Sequence, residues 1–319
     1  MSYSQFGSIQ STDFNTFVGG NPTSTANTLN AVWATGSNIS GYGQTAVANV
    51  AVGQTIVAPG QWAALVANTQ SAASHQGAAT VIGTVVTPVT GGLVNYQANI
   101  PTNLANIYGN RTNATSQSST VATSNTQSST WATSLTFTFT VSFANGNAAR
   151  YFFNSGGQLA ITASNPAGTS VTNIFNQLAA NVGTLVMSSI GSGTANIAGT
   201  VYSGLQRVGS LSITPSPYLT NSGYYGLTGT ATNVFQVTNA SGTYINTNIK
   251  ILANTSTANV AGNGDNGNVI TLQGVWTDLP QGTTANAGAS MTLTVRPPET
   301  TYISNTWGAV TVVSTLTGS

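Results

Sequence analysis

The chain has 319 residues but only nine charged side chains, five basic and four acidic, with one histidine and no cysteine. Soluble domains usually carry about 25% charged residues, whereas this chain carries 3%. Thr, Ser, Asn and Gly together account for 155 of the 319 residues. This composition excludes disulfides, thiolate metal sites and sites that need several histidines. Five scattered cations also cannot form a track for nucleic acid.

The scarcity of charge also bears on function. Most enzyme mechanisms need a positioned pair of ionisable groups, so the composition predicts a structural or binding protein without a cofactor. The net charge is +1, and identical copies of such a chain repel one another little. This favours a protein present in many copies within one assembly. The alternative is a neutral extracellular domain that is simply poor in charge.

Targeting signals are absent from the sequence pattern. No apolar run approaches the ~18 residues of a membrane span. Residues 1–14 contain neither a basic stretch nor an apolar block, so they do not read as a signal peptide. The sequence therefore predicts that the chain is made in a cytoplasm, where it stays or from which it leaves by assembly or lysis, and that it has no membrane partner.

Residues 1–111 mix helix and strand signals and form the first predicted domain. Apolar residues at helical spacing predict helices over Asn27–Trp33 and over Pro59–His75. Alternating or continuous β-branched residues predict strands near Ala48–Val52 and over Val81–Val89. This region is therefore expected to be mixed α/β.

Residues 112–134 are rich in Ser and Thr and repeat internally, because Gln117–Ser124 recurs as Gln127–Ser134. This segment is either a linker or an extended strand. The spacing of ten is even, so an uninterrupted strand would place Val121 and Trp131 on the same face.

Residues 135–212 form the predicted central module. Leu135–Phe143 alternates apolar residues with hydroxyl residues, which is typical of a strand with one buried face. Asn145-Gly146 is a strong hairpin signal, and Ala148–Phe153 is the predicted return strand. A helix is predicted over Ser170–Val182. The module is thus expected to be a β-hairpin followed by a helix.

Residues 213–319 carry an all-β pattern in which short strands are separated by turns rich in Gly and Asn. The sequence as a whole predicts a mainly β protein with some α. It has a mixed α/β N-terminal region, a central β-hairpin-helix module and a C-terminal antiparallel β-sandwich or jelly roll. The predicted C-terminal strands are Val234–Thr238, Tyr244–Leu252, Val269–Trp276, Ser290–Val295 and Ala309–Leu316.

Seven segments spread over the chain share a further property. They are Arg150–Gly157 (RYFFNSGG), Asn27–Trp33, Gly41–Gln44, the Gln61-Trp62 helix, His75–Gly77, Val295–Pro298 and Asn305–Gly308. In these patches, which cover most of the chain, the sequence resembles structural proteins of tailed-phage virions, notably those of marine cyanobacterial phages. The resemblance implies a structural part of the particle and supplies no catalytic residues. Because β-rich modules with a Thr, Ser and Gly bias suit an elongated appendage, a tail, neck or fibre part is the first expectation and head decoration the alternative. The expected partners are other copies of the chain, in a trimer or ring, and other virion proteins.

The RYFFNSGG segment also has a physical interpretation of its own. Asn154–Gly157 predicts a turn that needs permissive backbone angles. In a strand, Phe152 and Phe153 would point to opposite faces. Arg150 is expected to anchor an ion pair or hydrogen bonds to carbonyls.

Few ionisable residues suggest a chemical site. His75 lies at a predicted helix end. It is either a metal ligand or general base, or a residue whose charge complements the helix dipole. Gly262–Asn268 contains a single carboxylate, Asp265, so a hairpin turn is favoured over a calcium loop. Asp278 and Glu299 lie beside prolines and are expected to be surface turn residues rather than a glycosidase pair. No catalytic, cofactor or metal site is predicted.

Five aromatic residues of the C-terminal region are possible interaction residues. Tyr and Trp in loops can stack on sugar rings, which would suit binding of a host-surface glycan by an adhesin. The alternative role is packing in the core or between subunits. The five residues are Tyr224, Tyr225, Trp276, Tyr302 and Trp307.

Overall fold

The structure of the protein is a computed structural model. Helices and antiparallel strands both occur in it, so the predicted mainly β protein with some α is confirmed. Within the described ranges no helix is both long and apolar enough to cross a bilayer. The structure describes residues 10–19, 27–51, 54, 58–77, 80–87, 97–113, 120–168, 170–189, 195–197, 200–202, 204–209, 217–256, 262–279 and 284–318.

In the described ranges the N-terminal region contains four α-helices, which pack in one cluster. Their apolar residues, among them Trp62 and Leu65, are buried in the same core as those of the sheets. The predicted helices near residues 27–33 and 59–75 are both confirmed. The four helices are α1 (Ser11–Val18), α2 (Leu29–Val32), α3 (Ala63–Gln76), which follows a π-helical turn at Ala58–Trp62, and α4 (Asn99–Gly109).

The prediction of strands near residues 48–52 and 81–89 is wrong, because the described residues of these two segments form no strand. Residues 52, 88 and 89 lie outside the described ranges. The physical reason is that amide side chains, instead of a neighbouring strand, satisfy the backbone there. In the described ranges we find five Asn or Gln side chains that each donate to the carbonyl and accept from the N–H of one residue. These amide–backbone pairs are Asn15 with Val50, Asn30 with Val47, Gln44 with Ser304, Gln97 with Val86 and Asn103 with Gly83.

Most strands belong to two antiparallel sheets. The first sheet has the order β1-β12-β3-β4-β7, the second has the order β13-β2-β11-β10-β9-β8, and β5 pairs with β6. The strands are β1 (Val121–Thr126), β2 (Ser134–Ser142), β3 (Gln158–Ser164), β4 (Thr184–Met187), β5 (Ala195–Ile197), β6 (Thr200–Tyr202), β7 (Leu205–Val208), β8 (Tyr218–Leu219), β9 (Thr232–Thr238), β10 (Asn248–Thr255), β11 (Val269–Thr277), β12 (Ser290–Arg296) and β13 (Thr311–Gly318).

The two sheets form a sandwich around the core. The predicted alternation of β2 is confirmed, since its apolar side chains, such as Phe137 and Phe139, are buried. Met291 of β12 lies directly over Gly274 of β11, so a Cβ at Gly274 would overlap its sulfur. The glycine thus allows close approach of the two sheets. Helix α6 (Val171–Val182) contacts β3 of the first sheet and β9 and β10 of the second.

The predicted return strand at Ala148–Phe153 is wrong, because this segment is helix α5 (Gly146–Asn154). The Asn145 side chain, which suggested a hairpin turn, caps the helix by accepting from the N–H of Ala148 at 2.9 Å. Asn is one of the preferred N-cap residues. Phe152 and Phe153 are both buried, since a helix places neighbouring residues only about 100° apart.

Strands from the predicted central module and from the predicted C-terminal sandwich share both sheets. β2 lies between β11 and β13, and β12 lies between β1 and β3. The boundary expected between residues 212 and 213 therefore does not separate two sheets. The alternation of apolar and polar residues in a sequence shows that a strand has one buried face. It does not show which other strand lies beside it in the sheet.

Part of the repeated segment is a strand, since residues 121–126 form β1. Residues 114–119 of the segment lie outside the described ranges. Val121 is 63% exposed and Trp131 only 3% exposed. The strand ends at Thr126 and Trp131 makes an isolated bridge to Ala285, so the two residues do not belong to the uninterrupted strand in which they would share a face.

Candidate functional site

The two edge strands β1 and β13 lie beside each other on one side of the sandwich, and we call this pair the rim. β13 pairs with β2 over all eight of its residues, from Thr311 opposite Ser142 to Gly318 opposite Leu135, without a shift of register. β1 pairs with β12 over six residues. The rim is therefore long and regular.

The rim is uncharged, since neither strand contains an ionisable residue. It exposes apolar as well as hydroxyl groups, because Val121 is 63% exposed and Val313 62%. On β1, hydroxyls pair across the strands, with Ser124 Oγ 2.8 Å from Thr292 Oγ1. The surface is thus one on which side chains offer hydrogen bonds and packing without charge.

The opposite edges of the two sheets differ from the rim. β7, the far edge of the first sheet, has four residues, including Arg207, which donates to the carbonyl of Asn181 at 2.7 Å. β8, the far edge of the second sheet, has two residues. Short strands and charged side chains are devices that prevent edge strands from pairing with other chains. They occur at the far edges and not in the two strands of the rim.

The RYFFNSGG segment ties the sandwich to the N-terminal region. Arg150 donates to the carbonyls of Thr35 at 2.7 Å and Ser40 at 2.8 Å. Asn154, one turn further along α5, donates to the carbonyl of Ser40 at 3.0 Å. The expectation that Arg150 binds carbonyls is confirmed, and the segment has an architectural role.

His75 belongs to the same connection. It is fully buried in the last turn of α3, and its Nε2 donates to the carbonyl of Ser155 at 3.0 Å. The ring of Tyr42 meets it edge-on, with the centroids 5.2 Å apart. Burial lowers the pKa of His75 to about 4, so the imidazole is neutral at pH 7. It therefore does not complement the helix dipole with a positive charge.

The acidic residues have separate surroundings. Asp265 is buried in the loop after residue 262, where it accepts from the N–H of Gly267 at 2.8 Å. The expectation that Asp278 is a surface turn residue is wrong, because it is fully buried directly after β11, where burial raises its pKa to about 6. Hydrogen bonding from the Thr301 hydroxyl at 2.7 Å lowers the pKa of Glu299. In the part of the chain that the structure describes, no three His, Asp or Glu side chains come together.

The five aromatic candidates lie in different environments. Tyr224, Trp276 and Trp307 are buried, so their rings are not accessible to an external ligand. Tyr225 is half-buried, with its hydroxyl 2.7 Å from the carbonyl of Asn38. Tyr302 is 46% exposed. Of the five, Tyr302 presents the most accessible ring.

Tyr302 stands at an open polar cleft between the N-terminal helices and the segment before β13. The segment on its own side is residues 300–305, and Trp33, Gln44, Asn68 and Ser71 line the other. Gln44 fixes the segment by donating to the carbonyl of Ser304 at 3.0 Å and accepting from its N–H at 2.8 Å. The cleft combines one accessible ring with side-chain amides and a hydroxyl.

The nine charged residues, all within the described ranges, contribute little to the surface. Four of them, Asp13, Arg150, Asp265 and Asp278, are buried. The other five are half-buried, and none is fully exposed. The surface is therefore even less charged than the composition suggests.

The sequence could not reveal the rim. The alternation over residues 309–316 predicts a strand, and β13 indeed spans Thr311–Gly318. Its lack of charge is visible in the sequence, but its place at the edge of a sheet is not. The amide–backbone pairs were also missed, because Asn and Gln are so frequent that no single position stands out.

The fold thus defines an antiparallel β-sandwich joined to a helical N-terminal region. Compared with models of protein families, with curated proteins and with solved structures, the chain shows no match. The rim, the cleft and the distribution of charge are the features that bear on function.

Proposed function

We propose that this chain is a non-enzymatic structural protein of a tailed-phage particle, where it assembles with copies of itself and with other virion proteins. The observation that carries the proposal is that none of the nine charged side chains is fully exposed. Like charges accumulate when identical copies pack closely, and charge of one sign then opposes compaction. A neutral surface of hydroxyl and amide groups removes this opposition.

The sequence and the fold add support. The RYFFNSGG segment, which resembles phage virion proteins, has an architectural role through Arg150 and Asn154. The rim offers a neutral surface for contacts between copies. A tail, neck or fibre part that forms a trimer or ring is the first candidate within the particle. Head decoration is the alternative.

The test is to locate the chain in intact particles and to measure its assembly. Particles are labelled with antibodies raised against the purified chain and imaged by electron microscopy, with unrelated immunoglobulin as the control. The purified chain is studied by size-exclusion chromatography with light scattering. We expect periodic or ring-like labelling and a defined oligomer. A chain that is missing from the particle and monomeric up to about 100 μM would refute the proposal.

A carbohydrate-binding adhesin is the second candidate, favoured by the half-exposed ring of Tyr302 at a polar cleft. It predicts that the chain binds host polysaccharide in a glycan array. Tyr302→Ala should then weaken binding at least tenfold. The matched control is Tyr218→Ala, since Tyr218 is 53% exposed and lies away from the cleft on β8. Equal loss in both variants, or no binding at all, would count against the adhesin.

A further inference from the structure

We infer that β13 of one copy pairs antiparallel with β13 of a second copy across a two-fold axis at Ser314. The inference rests on the proposed function and specifies one interface within the assembly. In an antiparallel ladder, successive residues direct their N–H and C=O groups alternately to either side. Pairing with β2 therefore leaves half of the backbone groups of β13 directed outward. These groups are suited to a further strand.

The second copy is the favoured occupant because a two-fold contact places each surface against itself. Any charge on β13 would then meet its own sign, and β13 has none. An edge with a net charge would instead suit a partner of opposite charge. An uncharged edge free of proline, paired without interruption to β2, is compatible with a copy of itself.

The sequence of β13 fits a register centred on Ser314. In this register Val312 lies opposite Leu316 of the second copy, and both are half-buried apolar residues on the inner face. On the outer face Val313 lies opposite Thr315, and Thr311 lies opposite Thr317. Pairs of β-branched or apolar residues directly opposite each other stabilise antiparallel strands. With the centre at Thr315, Val312 and Leu316 would lie opposite Gly318 and Ser314. With the centre at Val313 they would lie opposite Ser314 and Val310, and Val310 precedes β13.

The area of the rim is sufficient for a specific interface. Eight residues of strand extend about 27 Å, and two sheets about 10 Å apart give a rim about 20 Å deep. Each copy then buries about 500 Å², or about 1,000 Å² in total, which reaches the lower range of specific interfaces. The two-fold axis is perpendicular to the sheet that contains β13 and therefore runs towards the other sheet. The same rotation thus also brings β1 towards β1 of the second copy. That contact covers Val121, which is 63% exposed.

A two-fold contact joins two copies only. A ring or trimer needs in addition a head-to-tail interface, which is a different surface of the molecule. The inferred contact therefore links copies that belong to different rings or trimers, or forms a dimer in solution.

Single cysteines test the register directly, because the chain has no cysteine of its own. Residues opposite each other in antiparallel strands have Cα atoms about 4.5–5.5 Å apart, which suits a disulfide. Under mild oxidation we expect Ser314→Cys to form a covalent dimer in most of the protein. A mixture of Val313→Cys and Thr315→Cys chains should cross-link more than either chain alone. Thr317→Cys, on the same strand, and Leu219→Cys, on the far edge β8, are controls that should stay monomeric.

A charge at the rim gives a second, independent measurement. Val313→Lys places a positive charge on the outer face of β13, close to its own copy. We expect the dissociation constant from light scattering to rise at least tenfold, with the melting temperature of the monomer unchanged. The matched control is Val86→Lys, since Val86 is 65% exposed, against 62% for Val313, and lies away from the rim. This control should assemble like the original chain.

The outcomes separate this inference from the proposed function. If the chain forms oligomers but Ser314→Cys does not cross-link and Val313→Lys assembles normally, the β13 pairing is wrong and the structural role stands. If the chain is found in the particle and the pairing is also observed, both hold. A chain that is monomeric at all concentrations and missing from the particle refutes both.

Discussion

At the scale of single residues, buried polar groups hold the N-terminal region against the sandwich. Arg150 is fully buried and binds carbonyls of a loop more than a hundred positions earlier in the chain. His75 makes the corresponding bond from α3 to the residue that follows α5. These residues connect parts of the chain that are distant in sequence, so their loss should affect the whole fold.

Arg150→Met is expected to destabilise the protein strongly. Methionine fills a similar volume but removes the charged donor to the carbonyls of Thr35 and Ser40, and Ser40 keeps the bond from Asn154. Hydrogen bonds to charged groups contribute about 1.5–3 kcal/mol each, so the free energy of unfolding should fall by about 3 kcal/mol or more. Urea denaturation measures this, with the half-buried Arg296→Met as the control. Equal effects of the two changes would show that Arg150 has no such role.

Asp278 should make the stability depend on pH. Its folded-state pKa is about 6, raised by burial from an ordinary value of 3.8. The folded state therefore holds this proton more tightly than the unfolded state does, so the contribution of Asp278 to stability is fully present below about pH 4 and is lost as the pH rises to about 6. Asp278→Asn removes this titration. We expect a higher melting temperature than the original chain at pH 7.5 and little difference at pH 3.5.

Glu299 provides the control of opposite sign. Hydrogen bonding to Thr301 lowers its pKa, so its carboxylate stabilises the fold at neutral pH and this contribution is lost as the pH falls. Glu299→Gln should lower the melting temperature at pH 7.5 by a small amount. If Asp278→Asn also lowered the melting temperature at that pH, the account of Asp278 would be contradicted.

At the scale of elements, amide side chains take the place of missing strands. Residues 80–87 pair with no strand of the described part of the chain, and their backbone is bound by Asn103 of α4 and by Gln97, two residues before α4. Asn103 both accepts from the N–H of Gly83 at 2.8 Å and donates to its carbonyl at 2.7 Å. This arrangement reproduces locally the two bonds that an antiparallel neighbour provides.

Asn103→Asp tests this arrangement with almost no change of shape. The carboxylate can still accept from Gly83 but cannot donate, and it faces a carbonyl oxygen in a site that is 2% exposed. The free energy of unfolding should fall by about 2 kcal/mol. Asn106→Asp is the control, because Asn106 is half-buried and its side chain makes a single bond, to the carbonyl of Val81. A loss as large for Asn106 would mean that the paired bonds add nothing.

The elements also show how far the sequence determines the fold. β2 and β11 could be predicted because each buries one face, which produces a period of two. α5 could not, because Asn145-Gly146 is equally suited to a hairpin turn and to a helix N-cap, and the cap forms only where the helix can bury its apolar side. The order of strands in the sheets depends on contacts between segments that are distant in the chain. A local sequence pattern does not indicate such contacts. For that reason the rim was not predictable, although the lack of charge in β13 was visible.

At the scale of the whole molecule, the surface carries almost no charge. Five half-buried charged side chains are all that reach the surface from the nine in the chain. Three of the five are held in local bonds, since Arg111 donates to the carbonyl of Tyr108 at 2.7 Å, Arg207 donates to the carbonyl of Gly209 at 2.6 Å and Glu299 accepts from Thr301. The proposed contacts between copies would therefore depend on packing and on neutral hydrogen bonds.

Self-association should consequently be almost independent of ionic strength. Raising NaCl from 0.05 M to 1 M shortens the Debye length to about 3 Å and weakens exposed ion pairs, but few such pairs exist here. We expect the dissociation constant from light scattering to change by less than about threefold over this range. The Val313→Lys variant is the internal control: its copies carry like charges near the axis, so salt should restore part of their association. Dissociation of the original chain by tenfold or more at 1 M NaCl would show that ionic contacts hold the assembly together, and the neutral surface would then lose its role in the proposal.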